Sequence, residues 1–509
     1  MTLQRYARLP ALPLSPPRLA GGALFLALAL FGLAGCWMIL GGRGHLAVAA
    51  LPLSALLLMI LVRWQRGVYA LLAYVPVAGV VTLSLSPWQG WPLLHPVLYK
   101  DWFFVLPAYL GYLASLVLRR ERLPRLPRLP APVTYLLLGL GLLVVAQMAN
   151  PGVPNLVSAL IGAKVWLLYV PLYVLAFALI ESRHNLQNLM RLLVALAVIP
   201  CLAGLAEYVL ALTLGYQAAM SSIYGATAAQ ATQGFTFFEV GGGLLPRIPS
   251  TFTFVSQYFG FTLAMLVPCY IVWQSDPSPR WRRLGQWTLA LVAVASFLSG
   301  ARGAFIFVPL LLGLMFGLDR GFSGVLRAGL YVSVALASAL AISRMGARAL
   351  FDHVSELFFI YAAETAYGDL VHAILQFPLG SGTGTNTGPA RYAFERPENF
   401  IALQNYYAKA TIELGIPGLL LVWGLLFVLL RIGFRTRRHL KDPALRTCSA
   451  VLLAFLLTMA LNSFKGWLLD LDPINVYFWV FAGVLAKLPY LDRPESVPAG
   501  HGPHHEETR

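Results

Sequence analysis

Apolar runs of about 17 to 24 residues recur from Leu19 to Leu488, each near the length that crosses a hydrocarbon core of about 30 Å. Lipid offers no partner to a backbone N–H or C=O, so a chain patterned this way must fold as helices. Only 11% of the 509 residues are charged, where soluble domains carry roughly a quarter. The fold class expected is an all-α polytopic membrane protein, with no separate soluble domain.

The spans fall at approximately 19-40, 46-62, 68-86, 102-118, 132-149, 165-181, 190-213, 252-274, 285-299, 303-318, 325-343, 416-431, 449-462 and 474-488. Leu33-Ala34-Gly35-Cys36 has the form of a lipoprotein cleavage box, but the apolar run continues past Cys36 and reads as the first span. Cys36, Cys201, Cys269 and Cys448 all lie in or beside apolar runs, which argues against a disulfide framework or a thiolate metal site.

The net charge of +16 matters less than where it sits. With the N-terminus inside, most of the 37 Lys and Arg fall on every second loop, including Arg119 to Arg128, Arg280 to Arg283 and Arg431 to Arg446. That alternation is the positive-inside pattern of about fourteen spans with both termini cytoplasmic, in a bacterial cytoplasmic membrane. The basic loops then set topology and touch anionic headgroups, and no nucleic acid is called for.

On this topology residues 1-343 carry the first eleven helices, with an outward loop at 215-251. Residues 344-415 form a large periplasmic loop, 416-488 carry helices twelve to fourteen, and 489-509 are a cytoplasmic tail. Long loops between short-looped spans are often functional.

Basic residues on the outward side run against the topology rule and need a reason. Arg302, in Ser299-Gly300-Ala301-Arg302-Gly303, sits between two apolar spans with only small neighbours. Arg247 stands just before the eighth span, followed by Ser250 and Thr251, a pair suited to helix capping. Lys164 precedes the sixth span, and Lys100 precedes the fourth beside Asp101, a pair able to neutralise itself. A guanidinium offers phosphate two parallel hydrogen bonds, so two arginines could grip a pyrophosphate and stabilise its departure.

In the large loop, residues 350-377 read as one or two interfacial helices bearing Asp352, Glu356, Glu364, Asp369, His353 and His372. The stretch Pro378 to Gly388 is glycine-rich but lacks the Gly-Lys-Ser/Thr ending of a nucleotide loop. It reads either as a close backbone turn near a sugar or phosphate, or as an ordinary loop. Asn405, Lys409 and Glu413 follow at helical i, i+4 spacing, with Gly415 and Pro417 breaking the helix. Gln404, Asn405, Tyr406 and Tyr407 offer amide and aromatic surfaces of the kind that bind sugars.

Three segments resemble the O-antigen ligase and polymerase family, membrane glycosyltransferases acting on sugars carried by undecaprenyl pyrophosphate. They are Arg247 to Leu263, Ser299-Gly300-Ala301-Arg302-Gly303, and Phe377 to Thr385 followed by Leu403 to Leu420. The likeness covers roughly residues 160 to 430. It implies a GT-C-like fold, Arg247 and Arg302 on the lipid pyrophosphate, a covering loop, and transfer without metal or cofactor. Gln404 stands where the family's ligases carry a histidine that activates the acceptor, and glutamine cannot be a general base. Glu398, His372 and Glu413 are the outward candidates in its place.

The departure favours a polymerase of repeat units over a ligase that delivers glycan to lipid A core. The expected partners are the lipid-linked oligosaccharide and the bilayer, with room for a chain-length regulator or export partner. A flippase for polysaccharide precursors is the reading from another class. Against it, the sequence shows no clear internal repeat, and Glu207 is the main ionisable residue inside a span.

Overall fold

The computed structural model describes residues 44–85, 95–118, 130–226, 237–240, 243–343, 348, 355, 359–393, 401 and 403–492. The expected span 19-40, the basic run 119–129, Asp352, His353, Glu356, Glu398 and the tail beyond 492 lie outside them. Contacts divide the chain into two compact units, residues 1–71 with 98–126, and residues 72–97 with 127–509.

Helices α1 (Gly44–Val62), α2 (Trp64–Tyr74), α3 (Ala78–Ser84) and α4 (Leu106–Leu118) open the described chain. In the first unit α1 packs on α4, and Trp64 meets Tyr112 edge-on at 5.0 Å. Lys100 and Asp101, both buried, lie 3.8 Å apart as the expected self-neutralising pair.

The second unit holds α5 (Ala131–Gln147), α6 (Leu156–Leu167), α7 (Leu172–Leu179), α8 (Arg183–Leu214) and α9 (Tyr216–Tyr224). A hairpin of β1 (Phe237–Val240) and β2 (Gly243–Pro246) follows, antiparallel, with Phe237 opposite Pro246. Then come α10 (Val255–Ser275), α11 (Pro279–Leu298), α12 (Ala304–Arg320), α13 (Phe322–Ser343), α14 (Asp369–Gln376), α15 (Tyr406–His439), α16 (Pro443–Asn462) and α17 (Ile474–Leu491).

The expected spans from 46-62 onward all fall on helical segments. Among the described residues, eight helices are long and apolar enough to cross a membrane by length and composition, and the expected span 19-40 lies outside the described residues. The core of the second unit is α10, with 89% of its apolar window buried. By contrast α13, 17% buried, turns Phe322, Leu326 and Leu330 outward, as a helix facing lipid would.

Side-chain caps fix several starts. Asn155 accepts from Ser158 N at 2.9 Å, and Asp442 accepts from Ala444 N at 2.7 Å with Pro443 at the first helical position. The Asn155 cap places Lys164 inside α6 rather than ahead of the sixth span as expected. Gln257 takes the capping part expected of Ser250 and Thr251, accepting from Phe254 N at 3.2 Å.

Successive long helices run in opposite senses and sort the polar residues to two ends. At one, Arg191 grips Asp276 through a two-bond fork of 2.7 and 2.8 Å, Arg183 pairs with Asp442, and Asp319 accepts from Thr447 and Tyr270. At the other meet the segment after β2, the turn between α11 and α12, the start of α15 and the loop from α16 to α17. Both arginines singled out in the sequence belong to this second end.

Candidate functional site

The segment from Arg247 to Thr253 runs into the bundle instead of capping a helix. Ser250 Oγ donates to Pro200 O at 2.6 Å, Thr251 Oγ1 donates to Pro76 O, and Val80 N donates to Thr251 O at 3.1 Å. The Glu207 carboxylate, buried in α8, faces the Ser250 backbone N–H. Ser250 has φ of 54°, a left-handed conformation that costs a non-glycine residue of order 1–3 kcal/mol and persists because its surroundings hold it. Local strain is thus spent on the segment that carries Arg247.

Arg247 is docked against the turn that carries Arg302. Ile248 N donates to Ser299 O at 3.0 Å, and Gly300, at φ of 71°, lies so close that a Cβ there would come 3.0 Å from Arg247 Cα. Only glycine meets both demands. Arg302 itself is exposed at the mouth of this turn.

A third cation joins them from a loop the sequence did not mark. Lys465 Nζ would lie 3.1 Å from a Cβ at Gly303, the residue after Arg302. Burial, then Arg247, then Arg302 pull the Lys465 ammonium down to about 8. Three positive side chains from three separate segments therefore share one field.

The residues expected to touch sugar are held by the scaffold. Asn405 caps α15, accepting from Tyr407 N at 2.9 Å, while its Nδ2 donates to Thr365 O at 2.9 Å and Ala366 O at 3.2 Å. Tyr407 is buried and its hydroxyl donates to Ala460 O at 2.7 Å. Glu413, also buried, accepts from Trp166 Nε1 at 2.7 Å, Asn386 N at 2.9 Å and Thr387 Oγ1 at 2.9 Å. These bonds clamp α15 to α6 and the glycine-rich loop. Lys409, one turn before Glu413, pairs with Asp470 and lies 4.7 Å over the Trp166 ring.

The glycine-rich stretch is a close backbone turn packed in protein. Gly384, at φ of 91°, passes so near α6 that a Cβ would meet Ser158 O at 2.2 Å. Ser381 N donates to Ile412 O at 2.6 Å and Ile416 N to Pro378 O at 2.9 Å, which satisfies backbone groups freed where α15 breaks at Gly415.

Gln404 is exposed, immediately before the cap of α15, and its backbone N–H donates to the Asp369 carboxylate. His372 is exposed on α14, one turn beyond Asp369. Lys164 sits on α6, which packs on the glycine-rich loop through Gly162.

A cavity of about 180 Å³ at the opposite end is lined by Arg183 and Gln187 but also by Asp276 and Asp442, carboxylates that repel an anion. Among the described residues no group of three or more His, Cys, Asp or Glu could hold a metal ion. The chain matches no family model and no curated protein sequence.

Proposed function

We propose that this protein is a membrane glycosyltransferase that polymerises undecaprenyl-pyrophosphate-linked oligosaccharide repeat units into a cell-surface polysaccharide at the periplasmic face. The convergence of Arg247, Arg302 and Lys465 at the end opposite the basic loops carries this reading. Negative charge grows on a diphosphate as it leaves a sugar, and cations already fixed in place stabilise that charge without reorganising. The motif resemblance names the same two arginines, and the third cation strengthens the match to a diphosphate over a single phosphate.

The test is transfer by the purified full chain in vesicles given a polyprenyl-diphosphate-linked repeat unit. Wild type should lengthen the lipid-linked glycan. Arg302→Ala should weaken donor binding about 10- to 100-fold, the value of a charge-assisted hydrogen bond of about 1.5–3 kcal/mol. Normal polymer from Arg302→Ala would remove the anion site from the argument. In cells lacking the gene, accumulated single repeat units identify a polymerase, and long lipid-linked chains without their final acceptor identify a ligase. Substrate gathered in sealed vesicles with no covalent change would identify a transporter.

A further inference from the structure

We propose that Asp369 is the general base that takes the proton from the acceptor hydroxyl, an inference that rests on the glycosyl-transfer reading above. Transfer to a hydroxyl needs a grip on the departing diphosphate and a group that removes the hydroxyl proton. Arginines supply the first and cannot supply the second. Glu413 is sealed by three donated hydrogen bonds. Gln404 has an amide, which takes no proton at neutral pH.

Asp369 is a carboxylate held in place at the cationic end. Gln404 N–H donates to it, and Asn405, the next residue, clamps Thr365 O and Ala366 O, four and three residues before Asp369. Tyr406 N then donates to Ser463 O at 2.9 Å, two residues before Lys465. Two hydrogen bonds and a short run of backbone therefore tie the carboxylate to the loop bearing the third cation.

Its surroundings also suit the task. Partial burial raises the proton affinity of Asp369 from its ordinary value, with the Gln404 N–H and His372 opposing the rise and Glu364 adding to it. Glu364 and His372 are themselves exposed, so water competes for them and nothing fixes their orientation as firmly.

In the step itself the acceptor O–H proton passes to the Asp369 carboxylate as the acceptor oxygen bonds to the anomeric carbon. The bond from that carbon to the diphosphate oxygen breaks, and its electron pair leaves with the lipid diphosphate, held by Arg247, Arg302 and Lys465. Asp369 then gives its proton to water.

The experiment measures donor binding and turnover separately on the purified full chain, with a polyprenyl-diphosphate-linked repeat unit as both donor and acceptor. Asp369→Asn should keep donor affinity within threefold and lose turnover by about 10²- to 10⁴-fold, the usual contribution of a positioned base. Asp369→Glu should recover part of that loss. Turnover of Asp369→Asn within threefold of wild type would overturn the assignment while leaving the transferase reading intact, and so would loss of donor binding in step with turnover. Absence of donor binding and turnover in wild type would instead remove the reading on which the base depends.

Discussion

Lys465 shares its site with two guanidinium groups that keep their charge at any physiological pH, so it alone among the three cations can be switched off. Its ammonium is lowered to about 8, which means that folding disfavours the charged form and that the charge is present below pH 8 and lost above it. A diphosphate diester stays fully ionised across this range, so binding it must draw Lys465 back toward the charged form. Donor affinity should therefore be level below pH 8 and weaken as pH rises beyond it, by up to about tenfold per unit if one proton is taken up on binding. Lys465→Arg should flatten the profile, and an unchanged slope in that variant would show that another group titrates. Arg302 was legible in the sequence because it stands between two apolar spans, and Arg247 because it directly precedes one, each on the side expected to face outward. Lys465, in Ser463-Phe464-Lys465-Gly466, carries no such mark in the sequence, since only folding brings that loop to Gly303. The polar residues of α15 misled in the opposite way, because amides, tyrosines and a carboxylate that could bind sugar here serve as a cap and a clamp.

At the scale of elements, α15 was expected as a span starting at 416 after a polar loop, and it begins instead at Tyr406. The earlier boundary was hidden because Asn405, Lys409 and Glu413 look solvated in sequence and are buried by α6, α14 and the glycine-rich loop. Apolar length located the helices, but it cannot report polar helix that tertiary packing draws inward. The break at Gly415 also bears on the flippase alternative, in which unwound helices offer carbonyls to ions or substrate. Here Ile412 O is taken by Ser381 N and Ser381 Oγ, so the interruption is filled by the chain's own loop. Lys409 is fully buried, and removing it would strand Asp470, whose carboxylate burial already raises to about 6 against the pull of Lys409. Lys409→Ala should cost about 3–5 kcal/mol of stability, read as a fall in thermal unfolding temperature of the purified protein. Replacing both partners together, Lys409→Met with Asp470→Leu, should recover most of that loss. A small effect of Lys409→Ala alone would show that the pair is solvated and that α15 is held by Glu413 and its three donors.

Across the whole second unit, helix sense sorts charge into two ends of different character. One end balances its arginines with aspartates, in the pairs Arg191–Asp276 and Arg183–Asp442, and the chain continues there into basic connections such as Arg431 to Arg446. The other end brings Arg247, Arg302 and Lys465 together around a strained, inserted segment and also holds the Lys409–Asp470 pair. Lys and Arg are retained on the cytoplasmic side during insertion, so the first end should face the cytoplasm and the cation cluster the periplasm. Gln404 and His439 are both exposed, Gln404 immediately before the cap of α15 and His439 at its last residue. After the native cysteines are replaced, Gln404→Cys should react with a membrane-impermeant maleimide in cells whose inner membrane is intact. His439→Cys should react only once that membrane is opened. Labelling of both from outside would mean that α15 does not cross the bilayer. Reversed labelling would put the cation cluster in the cytoplasm, where a nucleotide-linked donor would be the chemistry to test and the lipid-linked polymerase reading would fail.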